Sequence, residues 1–334
     1  MNRRRFLSLS LATTGLAAGA GALTGCGDDE VGSGDRVEVR LGDTVNETNP
    51  QIAAERFFGE RLAALTDDAY EVKVFPNGQL GDHNKMNEQV HNGSLPMTKT
   101  LFANLTAFDK RLGVMSLPYS FAKQEDLFVA LVGGLGQQLG RILEYYDLKV
   151  LAFFDSGARN VYNKKRPIRT PADLKGLKIR VPQDAVAIET FNTLGATATP
   201  MATGEIYGAL QKGTIDAAEN NPIFYVTNKH VEEAKFWSWT RHQFGVDALL
   251  VSKKWFDGRP KPHQDAFVEA GWETQQRERE LWAAETEKYI KQAADSGAQI
   301  NDDIDFAAFQ QAVRPVVDKY RGTFGDLLDL LPLG

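Results

Sequence analysis

The sequence predicts an α/β fold on a parallel sheet, with the chain divided into two domains. Three observations predict it. A period-2 segment, a helical-period segment and a second period-2 segment follow one another early in the chain. Short apolar runs of β-type residues then recur between helical stretches. Finally, residues 261–296 are charged but carry Phe267, Ala270, Trp272, Leu281, Ala284, Tyr289 and Ala293 at roughly helical spacing. No proline or cap interrupts residues 264–294. A helix of about 30 residues is about 45 Å long, more than one small domain needs, so it crosses two.

The elements read as follows. Val37-Glu38-Val39-Arg40-Leu41 alternates as a strand. Residues 50–65 place Ile52, Ala53, Phe57, Leu62 and Leu65 at helical spacing. Residues 70–75 alternate again and close on Pro76-Asn77-Gly78. Residues 124–146 read as one helix and 148–155 as a short buried strand. Pro171-Ala172-Asp173-Leu174-Lys175-Gly176 is a short helix with a glycine stop, feeding a strand over 177–182. Residues 185–194 and 203–211 read as helices, and 248–252 as a strand. No internal repeat appears.

The first residues, Met1-Asn2-Arg3-Arg4-Arg5-Phe6-Leu7, open a basic segment, followed by an apolar run to Gly25 and then Asp28-Asp29-Glu30. This is the pattern of an export signal over residues 1–25. Arg3-Arg4-x-Phe6-Leu7 resembles a twin-arginine signal. Leu23-Thr24-Gly25-Cys26 resembles a lipobox, which would make Cys26 a lipidated first residue of a periplasmic, membrane-anchored chain. An ordinary cleaved signal with an incidental cysteine is the other reading. Residues 27–36, rich in Gly, Ser and Asp, read as a tether. Cys26 is the sole cysteine, so the exported chain forms no internal disulfide and relies on its core. Beyond the signal 309 residues remain, with 35 basic residues against 44 acidic, a net charge of −9. That balance argues against nucleic acid and offers no polybasic membrane patch. An anionic ligand must be held by a local, specific cation.

Enzyme signatures are missing: no Gly-x-Ser-x-Gly, no His-Glu-x-x-His and no phosphate-binding loop of the Walker type. Gly134-Leu-Gly136-x-x-x-Gly140 looks like a dinucleotide loop but lies in a helical stretch rather than after a strand. No cofactor is expected. His83 and His91 read as surface or turn positions; His230 and His242 are pocket candidates without an obvious carboxylate partner. The arginines say more. Arg159 follows the 148–155 strand and Arg180 lies in the 177–182 strand. An arginine near the carboxyl end of a strand points at the crevice where α/β sheets bind ligands. Its guanidinium grips a carboxylate through two parallel hydrogen bonds. From position alone, a structural salt bridge or a solvated side chain explains either arginine too.

A set of ordered segments carries a resemblance. They are Phe75-Pro-Asn-Gly-Gln-Leu-Gly-Asp82, Leu117-Pro-Tyr119, Asp173-Leu-Lys-Gly-Leu-Lys-Ile-Arg-Val-Pro182, Gly195-Ala-x-Ala-Thr-Pro-Met201, Glu205-Ile-Tyr207-Gly-Ala-Leu-Gln211 and Asp216-Ala-Ala-Glu-Asn-Asn-Pro222. Together they resemble the DctP-type solute receptors of tripartite ATP-independent periplasmic (TRAP) transporters, in order from Val37 to Ser252. The resemblance implies a periplasmic-binding-protein-like fold. Two α/β domains flank a cleft, hinged by two strands and braced by a long helix. The expected division is 37–156 plus 247–285 for one domain and 157–246 plus 286–334 for the other.

The resemblance also implies capture of an organic acid and delivery to the transporter's membrane subunits. Arg180 takes the family's main carboxylate contact, Arg159 the second arginine, and Asn220, beside Glu219, the asparagine of the Glu-Asn-Pro motif. Here that motif reads Glu219-Asn220-Asn221-Pro222, a variant that resembles receptors for uronic and related sugar acids. Leu101 and Asn104 stand where the sialic-acid branch has Glu and Arg, and Thr203 where it has an aromatic, which argues against sialic acid. Trp237, Trp239 and His242 are further candidates to line the cleft, with core packing as plausible for the tryptophans. The ligand expected is a sugar monocarboxylate. A C4-dicarboxylate or 2-oxo acid is the alternative ligand; a secreted enzyme acting on acidic sugars and a non-transport sensor are the alternatives of a different class.

Overall fold

The early alternation becomes β1 (Val37–Gly42), with Val39 and Leu41 fully buried and Glu38 and Arg40 exposed. The computed structural model describes residues 36–332. The signal, the tether up to Asp35 and Cys26 fall outside them. Helix α1 (Pro50–Leu65) starts where the sequence says: Asn49 caps it by accepting from the Gln51 amide, and Pro50 holds the first turn. Then come β2 (Tyr70–Phe75), α2 (His83–Asn92) and β3 (Met97–Leu101).

The expected helix over 124–146 is two, α3 (Gln124–Val132) and α4 (Gly134–Glu144). Gly133 leaves helical geometry between them. The bend brings Gly136 so close to the Leu131 carbonyl that a Cβ would lie 1.8 Å from the oxygen. The Gly134-x-Gly136 pattern is thus a packing requirement of a helix break, not a phosphate loop.

Strand β4 (Leu148–Asn163) is twice the expected length and holds Arg159 within it. It is followed by β5 (Lys178–Val181), α5 (Ala185–Thr193), β6 (Thr197–Pro200), α6 (Ile206–Lys212), β7 (Ala217–Asn220), α7 (Pro222–Thr227) and α8 (His230–Glu233). The expected helix over 203–211 begins as a 3-10 turn, Thr203–Glu205, before α6. Strand β8 (Phe236–Ser252) runs back along β4, and α9 (Lys253–Asp257), α10 (Lys261–Asp295), β9 (Gln299–Asn301) and α11 (Phe306–Phe324) complete the chain.

The sheet is mixed rather than all parallel, in the order β2-β1-β3-β8-β4-β7-β5-β6, with β9 on β8. β4 and β8 are the antiparallel backbone of the molecule. Their ends belong to different parallel groups: β3 pairs through Met97–Leu101 with Asp247–Val251 of β8, while β7 pairs with Asn160–Asn163 of β4. Between them the β4–β8 register shifts twice, at Asp155/Ala158 and at Arg159/Val161. Such bulges bend a strand and raise its twist. Gly157 supplies the left-handed residue, φ +66°, and its amide donates to Asp155 Oδ1 at 2.6 Å.

Each half of the sheet has an apolar cluster on both faces. α10 serves both halves: Phe267 and Ala270 pack with Phe58 and Leu249, and Trp282, Tyr289 and Ala293 pack with Tyr162 and Tyr225. α11 also reaches both, through Phe309 and Val313 on one side and Val316 and Phe324 on the other. The fold is the two-domain α/β arrangement around a cleft, with a long helix as its brace.

Candidate functional site

The cleft opens where β4 and β8 bend, at the carboxyl ends of β1, β3, β5 and β7, as the rule for α/β crevices requires. Lys99 and Leu101 come from β3, Arg180 from β5, Asn220 from β7 and Asp247 from β8. The free space at its centre is about 30 Å³, room for one or two waters. This is a closed arrangement. The Asn84 amide donates to Gln183 Oε1 at 2.5 Å across the mouth, and Asn46 donates to the Thr227 carbonyl at 2.7 Å.

Two arginines stand at one end, in unlike states. Arg159 is neutralised: its Nε and Nη2 donate to the two oxygens of Glu219 at 2.6 and 2.7 Å, and Nη2 also reaches the Glu219 carbonyl. Burial by itself would raise the Glu219 pKa. The Arg159 guanidinium and the His242 hydrogen bond outweigh it and hold that carboxyl at about 2. His242 sits 3.2 Å from Glu219 Oε2 through Nε2 and 2.9 Å from Thr240 Oγ1 through Nδ1. Burial lowers its pKa, so at neutral pH it is an uncharged ring donating from Nε2.

Arg180 has no such partner. Its Nε and Nη2 both donate to the Met201 carbonyl, at 3.1 and 2.8 Å, and among the described residues no carboxylate pairs with it. It is only 4% exposed. Burial pushes its pKa down to about 10, still leaving it charged at neutral pH. A buried guanidinium without a counter-charge is costly. Its Nη1 edge is free for an anion.

The other end of the cleft is held by Lys99, whose ammonium donates to Asp43 Oδ1 at 3.0 Å, Asp247 Oδ2 at 3.2 Å and Gln51 Oε1 at 2.9 Å. Three donors meet three acceptors, so nothing of Lys99 is left for a ligand. Below it Glu55 is wholly buried; burial and the Asp43 charge raise its pKa well above the usual range. Asp43 Oδ2 and both Glu55 oxygens are buried without a hydrogen-bond partner among the described residues. A proton on Glu55 lets one of its oxygens donate to Asp43 Oδ2 and leaves the other without a partner. His83 lies between the two ends, bonded to Thr44 Oγ1 at 2.9 Å and Thr100 Oγ1 at 3.1 Å. Burial lowers its pKa to about 4, so it is neutral.

The structure brings together Arg159, Arg180, Asn220 and Thr203, and places Asn104 with Arg180 and Thr203 at the mouth. Glu219 and His242 stand behind Arg159 rather than in this cavity. Trp239 is half-buried edge-on to Trp237, with Arg241 over its ring, and is not among the lining residues; Trp237 is core. His83, read from the sequence as a surface or turn position, is buried and lines the cleft, because its ring fills the space between two threonine hydroxyls. His230 is buried against the Tyr162 hydroxyl at 2.7 Å, away from the cleft. Lys99, Asp43, Gln51, Glu55 and Asp247 escaped sequence reasoning. A signal existed for Asp247, a lone acid in the apolar stretch Val246-Asp247-Ala248-Leu249-Leu250-Val251.

Residues 41–323 match the family described as bacterial extracellular solute-binding protein, family 7 (DctP). The chain belongs to that family. It is a TRAP-type solute-binding receptor, not an enzyme; the family binds small carboxylate ligands and works with transporter membrane subunits. The family-7 receptor is 33% identical over 276 residues to the 2,3-diketo-L-gulonate-binding periplasmic protein YiaO of Escherichia coli, covering 82% of this chain and 84% of that one. It is similar to the TRAP periplasmic solute-binding protein of Sulfitobacter sp. NAS-14.1 with bound β-D-galacturonate, with TM-score 0.86, 32% identity, and 88% and 98% of the two chains covered. It is also similar to that of Polaromonas sp. JS666 bound to D-erythronate, with TM-score 0.86, 26% identity, and 88% and 97% covered. Among the described residues of this receptor no helix is long and apolar enough to cross a membrane.

Proposed function

We propose that this receptor captures a sugar monocarboxylate, a hexuronate or an aldonate, and that Arg180 holds the carboxylate. The observation that carries the reading is the buried Arg180 guanidinium, which has a free donor edge in the cleft and no carboxylate partner of its own. Arg159 contributes its remaining Nη1 donor, alongside Asn220, to which Nη1 stands at 3.4 Å. Relatives with bound uronate or erythronate support the ligand class. Capture needs opening, because about 30 Å³ does not admit a sugar. The moving bodies are residues 37–156 with 247–285 and residues 157–246 with 286–334, and the pivots are the bulges of β4 and β8.

The test is a thermal-shift screen followed by calorimetry and small-angle scattering. Galacturonate or glucuronate at 100 times its dissociation constant should stabilise the protein by about 2.7 kcal/mol. Saturation should also lower the radius of gyration. An unchanged scattering profile with a bound ligand would rule out closure, and succinate binding best would move the ligand to the dicarboxylates.

The receptor is further proposed to be held at the membrane by lipidated Cys26, on the strength of Leu23-Thr24-Gly25-Cys26. Cys26→Ser should release it from the membrane fraction or block its processing. Identical soluble fractionation of wild type and variant would refute the anchor.

A further inference from the structure

The cleft is electrically two-ended, and the end away from the arginines is not neutral. At the arginine end, Arg159 and Glu219 cancel and Arg180 leaves one positive charge. At the other, one ammonium, Lys99, faces two carboxylates, Asp43 and Asp247, and leaves one negative charge. Arg180 on β5 and Asp247 on β8 stand three strands apart in sheet order, yet line one cavity.

Asp247 is the part of this negative end that a ligand meets. It is 3% exposed, and its Oδ2 is fully used by Lys99 at 3.2 Å and Gln51 Nε2 at 2.8 Å. Its Oδ1 accepts no hydrogen bond among the described residues, and Asp247 lines the cavity. The open oxygen of a nearly buried carboxylate that lines a ligand cleft is an acceptor awaiting a donor. Lys99 cannot grip a second carboxylate, because its three donors are spent on Asp43, Asp247 and Gln51.

Resting on the sugar-acid reading above, we infer that Asp247 is the specificity-determining residue of the cleft: its free oxygen takes a hydroxyl at the ligand's far end and repels a second carboxylate there. A hydroxyl donates, so it fits an acceptor. A carboxylate offers only acceptors and a like charge, and such a juxtaposition across an interface is strongly unfavourable. Aldarates and C4-dicarboxylates are thereby excluded, while aldonates and uronates are admitted.

Calorimetry on the full-length protein with D-galactonate and D-galactarate tests this, since the pair differs only by CH₂OH against COO⁻ at one terminus. Wild type should prefer galactonate by about 100-fold or more, as a like-charge clash predicts. Asp247→Asn can keep its oxygen on Lys99 and Gln51 and turn an NH₂ into the cavity. It should weaken galactonate and strengthen galactarate until the two lie within about tenfold. A wild-type protein that binds galactarate as well as galactonate overturns the inference, as does an Asp247→Asn variant with the wild-type ratio. Should the variant not fold, the wild-type ratio alone decides. Should the wild type bind neither, galacturonate and glucuronate decide the sugar-acid reading, which fails by itself if they too go unbound. The far end is then read from 4-hydroxybutyrate against succinate, where preference for succinate overturns the inference and preference for the hydroxy acid upholds it.

Discussion

Arg180→Ala is expected to weaken ligand binding by roughly 30- to several-thousand-fold, while the melting temperature of the ligand-free protein stays level or rises. Truncating one member of a buried, hydrogen-bonded charge pair costs on the order of 2–5 kcal/mol, and about 1.4 kcal/mol is tenfold. In the ligand-free protein the same side chain is a burden. It gives two hydrogen bonds to the Met201 carbonyl and meets no carboxylate, so its desolvation is only partly offset. Binding and stability therefore move in opposite directions. Arg180→Lys should recover only part of the affinity, because an ammonium cannot present two parallel donors. An Arg180 in an internal salt bridge would behave otherwise, lowering the melting temperature and sparing affinity. Calorimetry and thermal denaturation on the same variants separate the two. Near-wild-type affinity would transfer the carboxylate to Arg159, whose Nη1 gives only one long hydrogen bond, to Asn220 Oδ1 at 3.4 Å.

Much of this was legible in the sequence, for physical reasons that also mark the limits. Ile52 and Leu62 on α1, the alternation in β1 and Phe267, Ala270, Tyr289 and Ala293 on α10 declare themselves, because one buried face repeats with the period of its element, whereas Ala53, Trp272 and Ala284 of the expected stripes are exposed. β4 and β8 were cut short by Ser156-Gly157 and Gly245, which look like strand ends. They are instead the bend itself: the strands continue through bulges that only pairing with a distant partner can stabilise. The polar residues Gln275 and Glu278 inside the buried stripe of α10 have the same origin. Gln275 Oε1 accepts the Phe153 amide at 2.8 Å and Glu278 Oε2 the Asp155 amide at 2.7 Å, serving backbone donors beside the bend. At the site, Arg180 was placed by its strand, yet the difference between it and Arg159 was invisible, since it depends on which guanidinium Glu219 reaches. Lys99 in Met97-Thr-Lys-Thr-Leu101 reads like an edge-strand lysine; β3 is interior, and three partners from α1, β8 and the loop after β1 keep the charge there.

The pairing of Arg159 with Glu219 predicts a pH-dependent stability defect of opposite character. Arg159→Ala leaves Glu219 buried with only His242 beside it, and removing one partner of a buried pair costs about 3–5 kcal/mol. The sign of its pH dependence follows from linkage. In the wild type Glu219 titrates at about 2, against 4.5 for an ordinary glutamate, so its contribution is present above about 4.5 and is lost as pH falls toward 2. That interval corresponds to about 3 kcal/mol at roughly 1.36 kcal/mol per pH unit, in line with the pair estimate. In Arg159→Ala the charge that held the carboxyl down is gone and burial dominates. The folded variant then binds a proton more readily than the unfolded chain, on Glu219 or on the neighbouring His242 ring, and either route favours folding as pH falls. The stability gap between wild type and variant should therefore be widest near pH 7 and narrow steadily toward pH 3. Buried His83 and His230, with pKa values pushed down by burial to about 4 and 3, and Asp155, pushed up to about 7, titrate in both proteins and cancel in the difference. Urea denaturation at pH 7, 5 and 3.5 measures the gap. A difference below about 1 kcal/mol at pH 7, or one that does not change with pH, would mean that Glu219 does not depend on Arg159 for its charge; Arg159 would then be free to serve the ligand as Arg180 does.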